Sequence, residues 1–85
     1  MFKIGEFSKI TQVSIRMLRY YDEQGLLQPI KVDASSGYRM YAAHQIEELN
    51  RILLLRDLGF SVKEMRELLV SWNGEKIKED LKKQM

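Results

Sequence analysis

Ser14-Ile15-Arg16-Met17-Leu18-Arg19-Tyr20-Tyr21 carries the strongest signal in this chain. Ser14 is a favoured N-cap and opens a short helix. Arg16, Arg19 and Tyr20 fall on one side of it, and no acid follows the cap before Asp22. Ile15 and Leu18 supply the opposite side, which is expected to be buried. An uncovered helix start with two guanidiniums and a phenol on one face suits the phosphates and base edges of the DNA major groove. Upstream, "IGEFSKITQV" reads as a first helix, a tight turn and an apolar plug, Val13. Together the two segments predict a helix-turn-helix.

The flanking sequence extends this unit. Helix one is expected from Ile4 to Ile10, with Ile4, Phe7 and Ile10 inward and Thr11-Gln12 as the turn. Helix two buries Ile15, Leu18 and part of Tyr21. Gly25 ends it as a C′ residue, and Leu26 stands where a Schellman motif places its apolar contact. From Pro29 to Tyr41 the period changes. "PIKV" and "YRMY" are short β-prone runs around "DASSG", a hairpin in which Gly37 takes the unusual backbone angles. A hairpin after a helix-turn-helix is a wing. Strand alternation then puts Tyr38 and Tyr41 on opposite faces.

Helix three is predicted over Ala43 to Leu58, with Ile46, Leu49, Ile52, Leu53 and Leu55 forming a wide apolar face. "DLGF" breaks it at Gly59. Ser61 and Glu64 form a capping box that opens helix four, whose buried stripe is Val62, Met65, Leu68 and Leu69. Trp72-Asn73-Gly74 is expected to end that helix. In the charged tail "EKIKEDLKKQM", Ile77, Leu81 and Met85 are spaced by four, as in the first turns of a longer helix. The expected fold is therefore mostly α: a winged helix-turn-helix with a small β-hairpin wing and a second helix pair. Residues 1–72 form the domain, and 73–85 begin a truncated dimerisation helix.

Composition narrows the function classes. With 85 residues there is room for one core and no catalytic cleft of ordinary size. Hydrophobic residues make up 45 %, enough to fold. There is no cysteine, hence no disulfide framework or thiolate metal site, and a lone histidine, His44, builds no zinc site. The longest apolar run, Ile52-Leu53-Leu54-Leu55, is far short of a membrane span. "MFKIGEF" has an acid at Glu6 and no long apolar stretch, so no signal peptide is read and a cytoplasmic location is expected. Formal net charge is only +2, but it is unevenly placed. Residues 1–41 carry six Lys/Arg against four Asp/Glu, whereas residues 42–85 carry eight of each. The surplus therefore sits with the second helix and the wing, where a basic face counts for more than total charge.

With these motifs in place, the chain resembles the DNA-binding domain of the MerR family of transcription regulators. The likeness runs from Phe2 to about Val70 on "IGEFSKITQVS", "IRMLRYYDEQGLL", "SGYRMY" and "LRDLGFSVKEMRELL", in the family's order and spacing. The phrasing "VDASSGYRMY" resembles the drug-responsive activators more than the metal sensors. The resemblance implies a homodimer held by an antiparallel coiled coil and bound to a near-palindromic promoter element. It further implies an effector, bound in a region absent here, that makes the dimer bend and untwist DNA for RNA polymerase. No cofactor is implied. Two positions depart from the family: Gln12 replaces a usual turn glycine, and Ala42 replaces a usual polar cap of helix three. The second costs a helix start on the order of 1 kcal/mol.

Arg16, in the first turn of helix two, is the base-contact candidate; its alternative is a solvated surface arginine. Ser14, Ile15 and Met17, in the same turn, join it in the DNA-facing set. Arg19 is assigned to phosphate, against an ion pair with Asp22 or Glu23. The resemblance makes Tyr20 a DNA contact and Tyr21 the more buried ring. It likewise makes Tyr38 and Arg39 the wing's phosphate contacts, with Tyr41 packed beneath the hairpin. The start of helix four, Ser61 with Lys63, offers backbone N–H groups to a phosphate, although a capping box serves stability equally well. Met17, Met40 and Met65 otherwise read as core filler or wing surface. Adjacent carboxylates such as Glu47-Glu48 do not face one another on a helix, and no nucleophile–base set is present, so an enzyme is not expected. An architectural DNA-bending protein of the excisionase type is the competing reading. The long fourth helix and charged tail count against it.

Overall fold

The computed structural model describes the backbone of residues 1–83 and the side chains of residues 1–72. The chain forms β1 (Phe2–Lys3), α1 (Ile4–Thr11), α2 (Ile15–Glu23), β2 (Lys31–Val32), β3 (Arg39–Tyr41), α3 (Gln45–Asp57) and α4 (Val62–Lys83). The winged helix-turn-helix architecture expected from the sequence is present.

Gln12 closes the turn between α1 and α2 with φ 62°, in the left-handed region that glycine occupies without strain. Three side-chain bonds hold it there. The Ser8 hydroxyl donates to the Val13 carbonyl at 2.6 Å, the Thr11 hydroxyl to the Phe7 carbonyl at 2.7 Å, and the Gln12 amide to the Lys9 carbonyl at 3.1 Å. Val13 plugs the core as expected. Ser14 caps α2, accepting from the Met17 N–H at 3.1 Å. A Schellman motif ends the helix. Gly25, at φ 72°, donates to the Asp22 carbonyl at 3.0 Å, and Leu26 donates to the Tyr21 carbonyl at 2.8 Å. The same pair of bonds recurs after α3, from Gly59 to Arg56 and from Phe60 to Leu55.

The wing is more than a hairpin. β2 and β3 pair antiparallel with Lys31 opposite Met40 and Val32 opposite Arg39. β1, which no local pattern predicts, pairs with the other edge of β3, Phe2 opposite Tyr41 and Lys3 opposite Met40. The sheet order is β1-β3-β2. In the loop, the Asp33 carboxylate accepts from the Ser35 N–H at 3.0 Å and its hydroxyl at 2.8 Å, which holds the Asp33 carboxyl below its ordinary range.

The core joins Phe7, Leu18, Tyr21, Leu27, Tyr41, Leu49, Ile52, Leu55 and Met65. Phe7 and Tyr41 stack at 4.5 Å between ring centroids and 11° between planes, tying α1 to the sheet. Three expected core residues lie outside it. Ile10 is 49 % exposed, because steps of three residues drift about 60° backwards each on a helix of 3.6 residues per turn. Leu68 is exposed beside Leu55, Phe60 and Trp72, on a flank that no element among the described residues covers. Ile15 is also exposed; standing in the first turn of α2, it shares a surface depression with Arg16, Arg19, Tyr20 and Glu23.

The α3 start compensates for Ala42. Gln45, buried and three residues on, accepts from the Ala42 N–H at 2.9 Å and donates to the Gln28 carbonyl at 2.6 Å. Half of a capping box thus replaces the missing polar cap. The helix proper begins at Gln45, two residues later than expected. At α4 the box is complete: the Ser61 N–H donates to Glu64 at 3.0 Å and the Glu64 N–H to the Ser61 hydroxyl at 3.2 Å. α4 does not stop at Trp72-Asn73-Gly74 but runs on to Lys83. An interior glycine costs a helix about 1 kcal/mol, and there is no proline to break it. The Ile77, Leu81 and Met85 side chains lie outside the described residues.

Candidate nucleic-acid interface

The capped start of α2 sets the geometry of the site. Its inner face is committed to the core through Leu18 and Tyr21, both buried, which forces Arg16, Arg19 and Tyr20 outward. The paired tyrosines separate as expected: Tyr21 is 2 % exposed and Tyr20 41 %. The Tyr21 hydroxyl reaches Arg56, which donates to it at 3.5 Å. Two depressions flank the outward ridge. One, of about 310 Å³, is lined by Ser14, Arg16, Met17 and Tyr20; the other, of about 470 Å³, by Ile15, Arg16, Arg19, Tyr20 and Glu23. The cap and first two turns of α2 therefore bring Ser14, Ile15, Arg16, Met17, Arg19 and Tyr20 together on one surface. Neither Arg16 nor Arg19 has an ion-pair partner among the described residues, so the alternative of an Arg19 pair with Asp22 or Glu23 is not realised.

Asp22 pairs elsewhere. Its carboxylate lies 3.4 Å from Nε of Arg39, the first residue of β3, and so links α2 to the wing. Tyr38, just before β3, is exposed, and Lys3 Nζ stands 4.5 Å from its ring centroid, a cation–π contact. Lys3 thus adds a cation beside Tyr38 that pattern reading missed, because only the β1–β3 pairing brings it there. Tyr41 is fully buried beneath the hairpin, and its hydroxyl has no hydrogen-bond partner among the described residues. Burial pushes its pKa up, with a further push from Asp22 and an opposing pull from Arg39.

Ser61 and Lys63 are exposed at the start of α4, but they share no bond, ion pair or depression with α2 or the wing among the described residues. The Glu64 carboxylate already occupies that helix start, held below its ordinary pKa range by the Ser61 N–H and hydroxyl. No group of His, Cys, Asp and Glu among the described residues is arranged to hold a metal ion. No described helix is long and apolar enough to cross a membrane.

A capped second helix with a cationic and aromatic outer face, braced by a three-stranded wing, defines a winged helix-turn-helix domain of the nucleic-acid-binding class. The chain belongs to the MerR HTH family of regulatory proteins, whose family profile matches residues 2–71. It is 46 % identical over 69 residues to the HTH-type transcriptional regulator HmrR of Sinorhizobium medicae, covering 81 % of this chain and 46 % of that protein. It is 40 % identical over 81 residues to the multidrug-efflux transporter 2 regulator of Bacillus subtilis, covering 95 % of this chain and 29 % of that protein. Among solved structures, EcmrR in its DNA complex superposes with a TM-score of 0.79 at 37 % identity, covering 98 % of this chain and 32 % of that one. The chain thus spans half or less of the length of these relatives. Heavy-metal-dependent and multidrug regulators both stand among the relatives, so similarity does not divide the two types. Family membership does favour the regulator over the excisionase-type alternative.

Proposed function

We infer that this chain is the sequence-specific DNA-binding domain of an effector-controlled transcription regulator acting in the cytoplasm. One observation carries it: α2 presents Arg16, Arg19 and Tyr20 outward from a capped helix start, with neither arginine engaged by an acid among the described residues. Arg16 reads a base edge, accompanied by Ser14, Ile15 and Met17. Arg19, Tyr20, Tyr38 and Arg39 hold phosphates on either side, and Ser61 with Lys63 forms a more distant phosphate contact. That EcmrR is solved on DNA supports this assignment. Residues 73–85 begin the dimerisation helix of a homodimer that distorts a near-palindromic promoter element for RNA polymerase.

The test is selection of duplexes from a random pool by the chain, followed by a salt titration of the selected site. A recurring half-site is expected, with log K falling linearly against log salt as Lys and Arg release counterions. Failure to enrich any sequence removes the specific-binding assignment.

A further inference from the structure

We propose that Asp22 is a positioning residue: its carboxylate ties the wing arginine, Arg39, to the recognition helix and holds it ready for a DNA phosphate. The proposal rests on the DNA-binding reading above and adds a role for an acid where charge alone disfavours one. A carboxylate beside a phosphate path opposes binding by simple Coulomb repulsion. Its presence makes sense if ordering the arginine outweighs that repulsion.

The geometry fits an orienting contact. Asp22 stands in the last turn of α2, and Arg39 at the start of β3, so the pair bridges two elements that meet DNA separately. The approach is through Nε, at 3.4 Å. Among the described residues neither terminal nitrogen of Arg39 has a hydrogen-bond partner, and its side chain remains 41 % exposed. The carboxylate thus lies against the inner nitrogen as an ion pair rather than an aligned hydrogen bond, and the outer two nitrogens are available to grip a second anion. Asp22 itself is only 23 % exposed, which makes it the fixed partner. Arg19 lies three residues before Asp22 on the same helix, a spacing at which ion pairs form, yet the acid turns to the wing instead. An arginine ordered before binding loses less rotamer freedom when the phosphate arrives.

The sign of one substitution separates this role from simple electrostatics. Asp22→Asn raises the net charge by one, so charge alone predicts tighter binding at every sequence. Positioning predicts the opposite: several-fold weaker binding to the duplex selected by the wild-type chain. It also predicts that Asp22→Asn causes no further loss in the Arg39→Ala background, and that Asp22→Glu restores most of the affinity. Tighter binding by Asp22→Asn in both backgrounds would overturn the proposal. Relaxation of the Arg39 Nε–H in the unbound wild-type chain is a second measurement that needs no variant. An ordered Nε–H is expected, and one as mobile as that of Arg16 would also overturn it. A wild-type chain that selects no duplex defeats the DNA-binding reading itself, whereas selective binding that Asp22→Asn strengthens defeats the positioning role alone.

Discussion

Arg16 and Arg39 are both cationic and both outward, yet the proposed function gives them different work. Arg16 rises from the first turn of a capped helix and is ion-paired to nothing among the described residues; Arg39 is held from behind by Asp22. Arg16→Ala should cost about 1–3 kcal/mol of discrimination at one base pair per half-site. Arg39→Ala should weaken binding evenly across sequences. Competition binding against a panel of single-base variants distinguishes the two patterns. Leu18, fully buried under the same helix, tests the rotation of α2: Leu18→Ala should destabilise by about 2–5 kcal/mol in a thermal melt. Tyr41 makes a contrasting case. Its hydroxyl is buried and has no partner among the described residues, and such a group costs roughly 1–3 kcal/mol. Tyr41→Phe should therefore leave stability unchanged or raise it, while the stack on Phe7 survives.

Elements defined by local chemistry were legible in the sequence, and those defined by distant partners were not. The Ser14 cap, the Schellman glycine at 25 and the Ser61–Glu64 box each involve residues within five positions of one another, and each formed as read. β1 is only two residues long and exists because Tyr41 and Met40 lie opposite it, a pairing no local pattern announces. Gln45 reads as an ordinary helix residue until its two bonds, one to a residue 17 positions away, reveal a cap. Ile15 looked apolar and therefore inward, but periodicity cannot tell whether a neighbouring element reaches over a helix end. The α2 surface was legible as a set; the Asp22–Arg39 link was not, for it depends on where the wing folds back. The α4 box also yields a pH dependence. Glu64 has a lowered folded pKa, so its stabilisation is complete above the unfolded value and is lost as pH falls through the folded one. Glu64→Gln should flatten the acid limb of the melting-temperature profile and leave the neutral limb's slope unchanged.

The whole molecule is one core with two ends of different character. The α1–α2–sheet end carries the basic surplus, and the α4 end carries exposed Leu68, Val70 and Trp72. A sustained coiled-coil seam needs about three to four heptads, and Ile77, Leu81 and Met85 supply fewer than two. By itself this 85-residue chain should sediment as a monomer or weak dimer at low micromolar concentration. A tight dimer would locate the interface on the exposed apolar side of α4 instead.

The order β1-β3-β2 has a practical corollary. Phe2 and Lys3 are the far brace of the strand that carries Arg39, and Lys3 lies over the Tyr38 ring. Phe2 and Lys3 are thus mechanically part of the wing, although they are separated from it in the chain by both helices of the DNA-reading unit. An affinity tag fused there, or a start site shifted by a few codons, alters the wing as surely as a substitution in the hairpin. Expression designs that leave Met1–Lys3 untouched and place the tag elsewhere keep the DNA-facing geometry native.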